Sequence, residues 1–320
     1  FLEHLFIAST HQYLLVMSQK GKCYWLKVHE IPSAARAARG KSIVNLIQVE
    51  SGDQVYAVVP VREFRDDHYL VMATSRGVVK KTALVEFSRP RRVGIRAITL
   101  AEGERLVAVT ETDGRRDIIL ATSDGMSIRF PESDIRPMGR DARGVRGVTL
   151  RKGAEVVGMV VVHDRTTLLA ITENGYGKRS PLEDYRPQRR GGRGLITIKT
   201  TERNGALIDI KEVADGEELM VISRNGIMIR LAVKDISTFG RNTQGVRIIS
   251  LNEGDLVVAV AKLAGNGKVP LEGVAGAEDI DPAATVGEAA ADDPAPADDA
   301  GADAGPDGPE GGGAPEPGPE

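Results

Sequence analysis

The sequence predicts an all-β fold: a radial array of about six four-stranded blades over residues 1–263, followed by a disordered acidic tail over 264–320. Three observations predict it. Two glycine columns recur along the chain at a nearly constant mutual spacing. Each recurrence carries short apolar runs joined by turns, without helical periodicity of useful length. The composition changes abruptly after Leu263.

The first column lies in "MSQKGKCYWLKV", "ATSRGVVKKTAL", "ATSDGMSIRFPE", "ITENGYGKRSPL" and "ISRNGIMIRLAV". Its glycines, Gly21, Gly77, Gly125, Gly175 and Gly226, stand 56, 48, 50 and 51 residues apart. The second lies in "RAARGKSIVNL", "PRRVGIRAITL", "RDARGVRGVTL", "RRGGRGLITIK" and "RNTQGVRIISL", with Gly40, Gly94, Gly144, Gly194 and Gly245. Within a repeat the two glycines are 19, 17, 19, 19 and 19 apart. Self-similarity at a fixed period of this size marks a repeat architecture.

Within each repeat the elements follow in order. A run such as "YLLVMS" or "DIILATS" makes a first strand. A turn ending in Gly joins it to a second, such as "CYWLKV" or "MSIRFP", as in a hairpin. The second glycine column opens an alternating strand such as "LITIKT". A Gly-acid turn ("SGDQ", "EGER", "KGAE", "DGEE", "EGDL") leads into a last strand such as "VYAVVPV" or "RLVAVTE". Four strands per ~50 residues is the pattern of a propeller blade. "LEHLFIAST" matches the last-strand position of a copy whose beginning is missing. Five full copies plus this orphan strand imply six blades. The start at Phe1, on a strand edge, reads as a fragment of a longer protein.

Charge divides the chain in the same place. Residues 264–320 hold 14 acids and one base, Lys268, a net −13 without any aromatic residue. Such a segment cannot bury enough apolar surface to offset its ordering entropy. Residues 1–263 hold 41 bases and 31 acids, a net +10 hidden inside the whole-chain value of −3. A body this basic points to a polyanionic partner, most often nucleic acid. The tail could compete with that partner for the body.

The bases fall in columns. Four positions before the second glycine lie Arg36, Arg140, Arg190 and Arg241; two positions after it lie Arg96, Arg146 and Arg247. Four positions after the first glycine lie Lys81, Arg129, Arg179 and Arg230, with Trp25 in the first copy. Arg39, Lys80, Arg143 and Lys178 sit beside these columns. Equivalent positions recur around a radial array, so the columns predict a basic track along the rim. A track of this kind suits a phosphate backbone, whose contacts give affinity without reading sequence. In the fourth repeat the track thickens into Gln188, Arg189, Arg190, Gly191, Gly192, Arg193 and Gly194. Because Gly194 and Arg190 belong to columns, this stretch reads as an ordered inter-strand loop rather than a floppy Arg-Gly linker.

No constellation for catalysis is apparent. Cys23, the only cysteine, excludes intrachain disulfides and cysteine metal clusters. The five histidines lack metal-ligand spacing. "GYGKRS" lacks the strand-helix context of a phosphate loop. Asp66-Asp67 and Glu217-Glu218 read as solvated turn residues, and Tyr24, Trp25 and Phe130 as packing between blades. Without a signal peptide or an apolar span of ~20 residues, the expected location is the cytoplasm.

"GKCYWLKVHEIPSAARAARGKSIVNL", "VMATSRGVVKKTAL", "IRFPESDIRPMGRDARGVRGVTL", "ITENGYGKRSPLEDYRPQRRGGRG", "TERNG" and "GRNTQGVRIISL" together resemble the C-terminal domain family of DNA gyrase A proteins. The resemblance spans residues 1–263. It implies a six-bladed β-pinwheel that wraps DNA with a fixed hand, supporting ATP-dependent negative supercoiling by a type II topoisomerase. It implies duplex DNA, the rest of gyrase A and gyrase B as partners in an A2B2 assembly. This domain is non-catalytic by itself and needs no cofactor, ATP and Mg being used elsewhere in the holoenzyme. The family's box, Q-R-R-G-G-[KR]-G, matches Gln188–Gly194 at every position. In the family the principal box precedes the stretch resembling "FLEHLFIAST", which here would lie upstream of Phe1. The alternatives are a topoisomerase IV domain, whose family lacks a proper box, and a propeller scaffold for protein partners.

Overall fold

The computed structural model describes residues 9–33, 42–89, 91, 93–163 and 167–263. The tail beyond Leu263 lies outside the described residues. The first repeat forms β1 (Tyr13–Ser18), β2 (Lys22–Lys27) and β3 (Val55–Val61). The second forms β4 (Tyr69–Thr74), β5 (Val78–Ala83), β6 (Ile95–Arg96) and β7 (Leu106–Thr112). The third forms β8 (Asp117–Thr122), β9 (Met126–Pro131), β10 (Val145–Arg146) and β11 (Val156–Val161). The fourth forms β12 (Thr167–Thr172), β13 (Tyr176–Pro181), β14 (Leu195–Ile196) and β15 (Leu207–Val213). The fifth forms β16 (Glu218–Ser223), β17 (Met228–Ala232), β18 (Val246–Arg247) and β19 (Val257–Leu263).

These strands make small antiparallel sheets, the blades, and the order within each reveals an exchange. From inside outward, blade I runs β3-β1-β2-β6, blade II β7-β4-β5-β10, blade III β11-β8-β9-β14 and blade IV β15-β12-β13-β18. Blade V has β19-β16-β17. The inner strands β3, β7, β11, β15 and β19 lie side by side in that order. The outermost strand of each four-stranded blade therefore comes from the following repeat, not from the blade's own. In the sequence reading both glycine columns belong to one blade; in the structure the second column crosses to the neighbour. Likewise "DGEE" leads into β16, the first strand of the fifth repeat, while the turn before β15 is "RNGA".

Exchange also explains the blade count. Five blades are present among the described residues, not six. Each blade takes its outermost strand from the next repeat, so five repeats complete four blades and leave the fifth with three strands. The first repeat's own exchange segment, around Gly40, and the orphan strand at residues 1–8 fall outside the described residues.

The two glycine columns meet where the exchanged strand docks. In blade III, Thr197 N donates to Gly125 O at 2.8 Å, and the same bond recurs from Ala97 to Gly21, Gly147 to Gly77 and Ile248 to Gly175. Gly125 has φ +78°, and a Cβ there would lie 2.2 Å from Ile198 O. Gly194 has φ +77°, and its Cβ would lie 2.2 Å from Ser127 O. Both positions need the left-handed backbone and the bare approach that glycine alone allows.

Hydrophobic cores lie between blades. Leu15 and Met17 pack towards Leu70 and Met72, Val71 and Ala73 towards Ile118 and Leu120, and Ile119 and Ala121 towards Leu168 and Ala170. Leu169 and Ile171 pack towards Leu219 and Val221. Side chains alternate across a strand, so each middle strand feeds two cores and reads as a continuous apolar run. Phe130 is fully buried and Tyr24 nearly so, as packing residues.

Candidate nucleic-acid interface

The loop from Gln188 to Gly194 runs along the outer edge of blade III into β14. Its backbone is tied at several points. Gln188 N donates to Arg129 O at 2.7 Å and Gly191 N to Gly147 O at 2.8 Å. Thr149 donates through its N to Gly192 O at 2.9 Å and through its Oγ1 to Gly191 O at 2.7 Å. Gly192 sits over Ile128, leaving its Cβ position 3.4 Å from the Ile128 methyl. The stretch is an ordered turn.

Its arginines divide by role. The Arg190 guanidinium turns inward, donating to Arg146 O and, through Nε, to Asp134 O at 3.3 Å. Arg241 repeats this tie one blade on, with Nη1 3.1 Å from Ile196 O, while Arg140 Nε stands 3.8 Å from Glu86. Arg190 and Arg241 thus bind their exchange loops to the rim strand of the preceding blade, while Arg140 reaches only the Glu86 carboxylate. Arg189 and Arg193 point to solvent, and among the described residues neither has a hydrogen-bond or ion-pair partner.

The other columns divide in the same way. Arg96, Arg146 and Arg247 are exposed on the outermost strands β6, β10 and β18, with Ile196 at the equivalent place on β14. Arg96 keeps a loose pair with Asp141 at 3.9 Å, and Arg143 reaches Glu104 at 3.7 Å. Arg76, Arg143 and Arg146 line a groove of about 510 Å³ on the edge of blade II. Arg36 and Arg39 lie outside the described residues.

Five bases expected on the rim lie wholly or partly inside instead. Lys80 is fully buried, donating to Ala97 O at 2.6 Å and to Arg140 O. Lys178 is also fully buried, donating to Gly240 O at 2.6 Å, Arg241 O at 2.5 Å and Thr243 Oγ1 at 3.1 Å. Lys81 stands 3.6 Å from the fully buried Glu132 carboxylate. Arg179 donates through Nε to Ile236 O at 2.7 Å and pairs with Asp215. Arg129, half-buried, bonds Asp117 at 2.8 Å and Leu182 O at 3.0 Å. In blades II to IV both faces of the second strand are covered, so cations there saturate carbonyls and carboxylates rather than meet solvent. Only Arg230 of this column, on blade V, is exposed, and it pairs with Glu218.

Burial pushes Lys80 and Lys178 down to about 8 from the usual 10.5. Below pH 8 both the folded and the unfolded chain carry these protons. Between about 8 and 10.5 the folded chain gives them up first, unfolding takes up protons, and stability rises with pH. Urea denaturation is expected to show the midpoint climbing from pH 8 to 10. The climb should flatten in a variant carrying Lys80→Met and Lys178→Met; an unchanged climb would refute the assignment.

One set of exposed cations escapes the column reading. Arg89, Arg136 and Arg186 each precede a proline at the start of an exchange loop, are exposed, and have no partner among the described residues. The repeated Arg-Pro dipeptide was the available signal. Among the described residues no three His, Cys, Asp or Glu side chains converge as metal ligands, and no helix is long and apolar enough to cross a membrane.

Comparison with known proteins follows the same repeats. The family model described as DNA gyrase C-terminal domain, beta-propeller, matches residues 12–62, 68–113, 116–163, 166–214 and 217–264. Each match runs from the first strand of a repeat through its inner strand. The DNA gyrase A protein of Halalkalibacterium halodurans is 54% identical over 263 residues, covering 82% of this chain and 32% of that protein. The Escherichia coli gyrase A protein is 38% identical over 264 residues, 82% of this chain and 30% of that protein. The chain thus spans about a third of the length of these curated relatives. Among solved structures, the C-terminal domain of DNA topoisomerase IV superposes with a TM-score of 0.73 at 25% identity, over 79% of this chain and 80% of that one. A DNA gyrase A C-terminal domain superposes with a TM-score of 0.72 at 23% identity, over 82% and 90%, which shows a shared fold.

Proposed function

Since the chain belongs to the DNA gyrase C-terminal domain family, we propose that its bladed body binds duplex DNA without reading sequence and winds it along the outer rim with one hand. In this reading the winding supports ATP-dependent negative supercoiling by a type II topoisomerase. The rest of gyrase A and gyrase B are the partners in a cytoplasmic A2B2 assembly, and nucleotide and Mg chemistry lie outside this chain. Shared fold does not separate gyrase from topoisomerase IV; the identity to gyrase A proteins and the intact Gln188–Gly194 box favour gyrase.

One observation carries the proposal: on the outer edges of consecutive blades, Arg136, Arg146, Arg186, Arg189 and Arg193 are exposed without a counterion among the described residues. Uncompensated arginines are costly neighbours for one another and fit a polyanion that follows the edge. The inward cations take no part in binding on this reading; they hold the exchange loops that present the outward ones.

The test is topological. Relaxed circles closed by ligase with saturating domain should show a change in linking number of one sign. Arg189→Gln with Arg193→Gln should lower that change by more than half and reduce the slope of log K against log salt by roughly 2 × 0.9. No linking change with the unaltered domain would sink the wrapping function.

A further inference from the structure

We infer that Arg203, Tyr176 and Arg247 form a preassembled clamp for a single backbone phosphate on the edge of blade IV, one blade beyond the box. The inference rests on the DNA-binding reading above and joins the column residue Arg247 to two groups, Arg203 and Tyr176, that no basic column contains.

Tyr176 on β13 pairs in register with Arg247 on β18. The equivalent pairs in blades I to III are Lys22 with Arg96, Val78 with Arg146 and Met126 with Ile196, so only blade IV puts an aromatic ring at this place. Arg247 Nη2 donates to the Tyr176 hydroxyl at 3.1 Å and its guanidinium carbon lies 5.5 Å from the ring centre. Arg203 Nε donates to the same oxygen at 3.3 Å and its guanidinium carbon lies 5.0 Å from the ring centre.

Arg203 arrives there through an insertion. From the second-column glycine to the turn glycine the chain takes nine residues at Gly94–Gly103, Gly144–Gly153 and Gly245–Gly254, but eleven at Gly194–Gly205. The longer turn is built around the fully buried Asn204. Its Oδ1 accepts from Thr201 N at 2.7 Å, and its Nδ2 donates to Lys199 O at 3.0 Å and Gln244 O at 3.1 Å. Asn174 Nδ2 adds bonds to the carbonyls of Glu202 and Arg203, each at 3.2 Å. Arg203 is thus delivered by a rigid turn.

The arrangement gathers two cations on one ring with no carboxylate in ion-pair range of either, among the described residues. Cation–π contact and the shared hydroxyl hold the guanidiniums in place. Their two bonds occupy the lone pairs of the Tyr176 oxygen, which lies on a buried side chain beneath the two exposed arginines. Two planar forks match a tetrahedral diester whose two non-bridging oxygens share one negative charge. The site sits on an outermost strand, where a duplex following the rim would pass.

The test is DNA binding to a short linear duplex over a salt series, using Arg203→Gln with Arg247→Gln, and separately Tyr176→Leu. The double variant should weaken binding tenfold or more near 0.1 M salt and reduce the slope by up to about 1.8. Tyr176→Leu keeps both charges yet should lose several-fold in affinity, while Tyr176→Phe, which keeps the ring, should recover part of the loss. Thermal melts establish that each variant is folded. Inorganic phosphate at matched ionic strength should compete no better against the wild type than against the double variant; selective competition would assign the site to a free anion and overturn the backbone clamp. A double variant with wild-type affinity and slope also overturns it; if Arg189→Gln with Arg193→Gln still weakens binding, the wrapping function survives that result. An unaltered domain that binds no duplex ends both.

Discussion

Gly194→Ala is expected to destabilise the domain by about 3–4 kcal/mol and to release β14 from blade III. Two costs add. An alanine at φ +77° adopts the left-handed region at roughly 1–2 kcal/mol. Its Cβ would also stand 2.2 Å from Ser127 O, a backbone atom inside a sheet that cannot yield. Relief requires the exchanged strand to lift. That breaks the pairing of Leu195 and Ile196 with Ser127 and Met126, and exposes the buried Ile198, worth about 2 kcal/mol of apolar burial. Gly153 supplies the control: it has φ +80° but nothing within 4 Å of its Cβ position, so Gly153→Ala should cost only the conformational part, roughly 1–2 kcal/mol. Urea melts of the two variants check the difference. Equal losses would mean that backbone conformation, not close approach, sets the cost.

Lys178→Met is the second large effect, expected at about 2–3 kcal/mol near neutral pH. Methionine keeps the aliphatic stem but leaves Gly240 O, Arg241 O and Thr243 Oγ1 without their shared donor. Desolvation of the amine, evident in its lowered pKa, offsets part of that loss. The damage should be local. Hydrogen exchange is expected to quicken in residues 237–247, which dock on blade IV, while blade I stays protected. Blade III carries Ile128 at the position equivalent to Lys178, so Ile128→Met should leave exchange in the 188–194 loop nearly unchanged. A Lys178→Met protein with wild-type stability and exchange would remove the lysine from any part in holding the loop.

Much of this architecture was readable from the amino acids, for reasons that also mark where reading stopped. Gly125 and Gly194 betray the repeat because turn geometry admits no other residue there. The same spacing holds whether a strand folds back on its own blade or reaches the next, so the exchange, and with it the count of blades, lay beyond sequence spacing. The run "VVKKTA" illustrates the limit for the interface. Lys80 and Lys81 point to opposite faces of β5, so an alternating pattern would put at least one in solvent, yet both are buried because each face meets a neighbouring blade. Arg189 and Arg190 are adjacent and chemically identical, and the positions of Arg146 O and Asp134 O decide which is tied down.

The exchanged outer strands also bear on how the body comes apart. If each repeat closed its own sheet, five modest units could melt one by one, as in a simple solenoid. Here the loss of the second, third or fourth repeat strips a strand from the blade before it and uncovers a core on the blade after it. Nearest-neighbour coupling is covalent as well as hydrophobic, and partial states are correspondingly poor. The body is therefore built to unfold as one cooperative unit, and a protease cut in any exchange loop damages two blades at once.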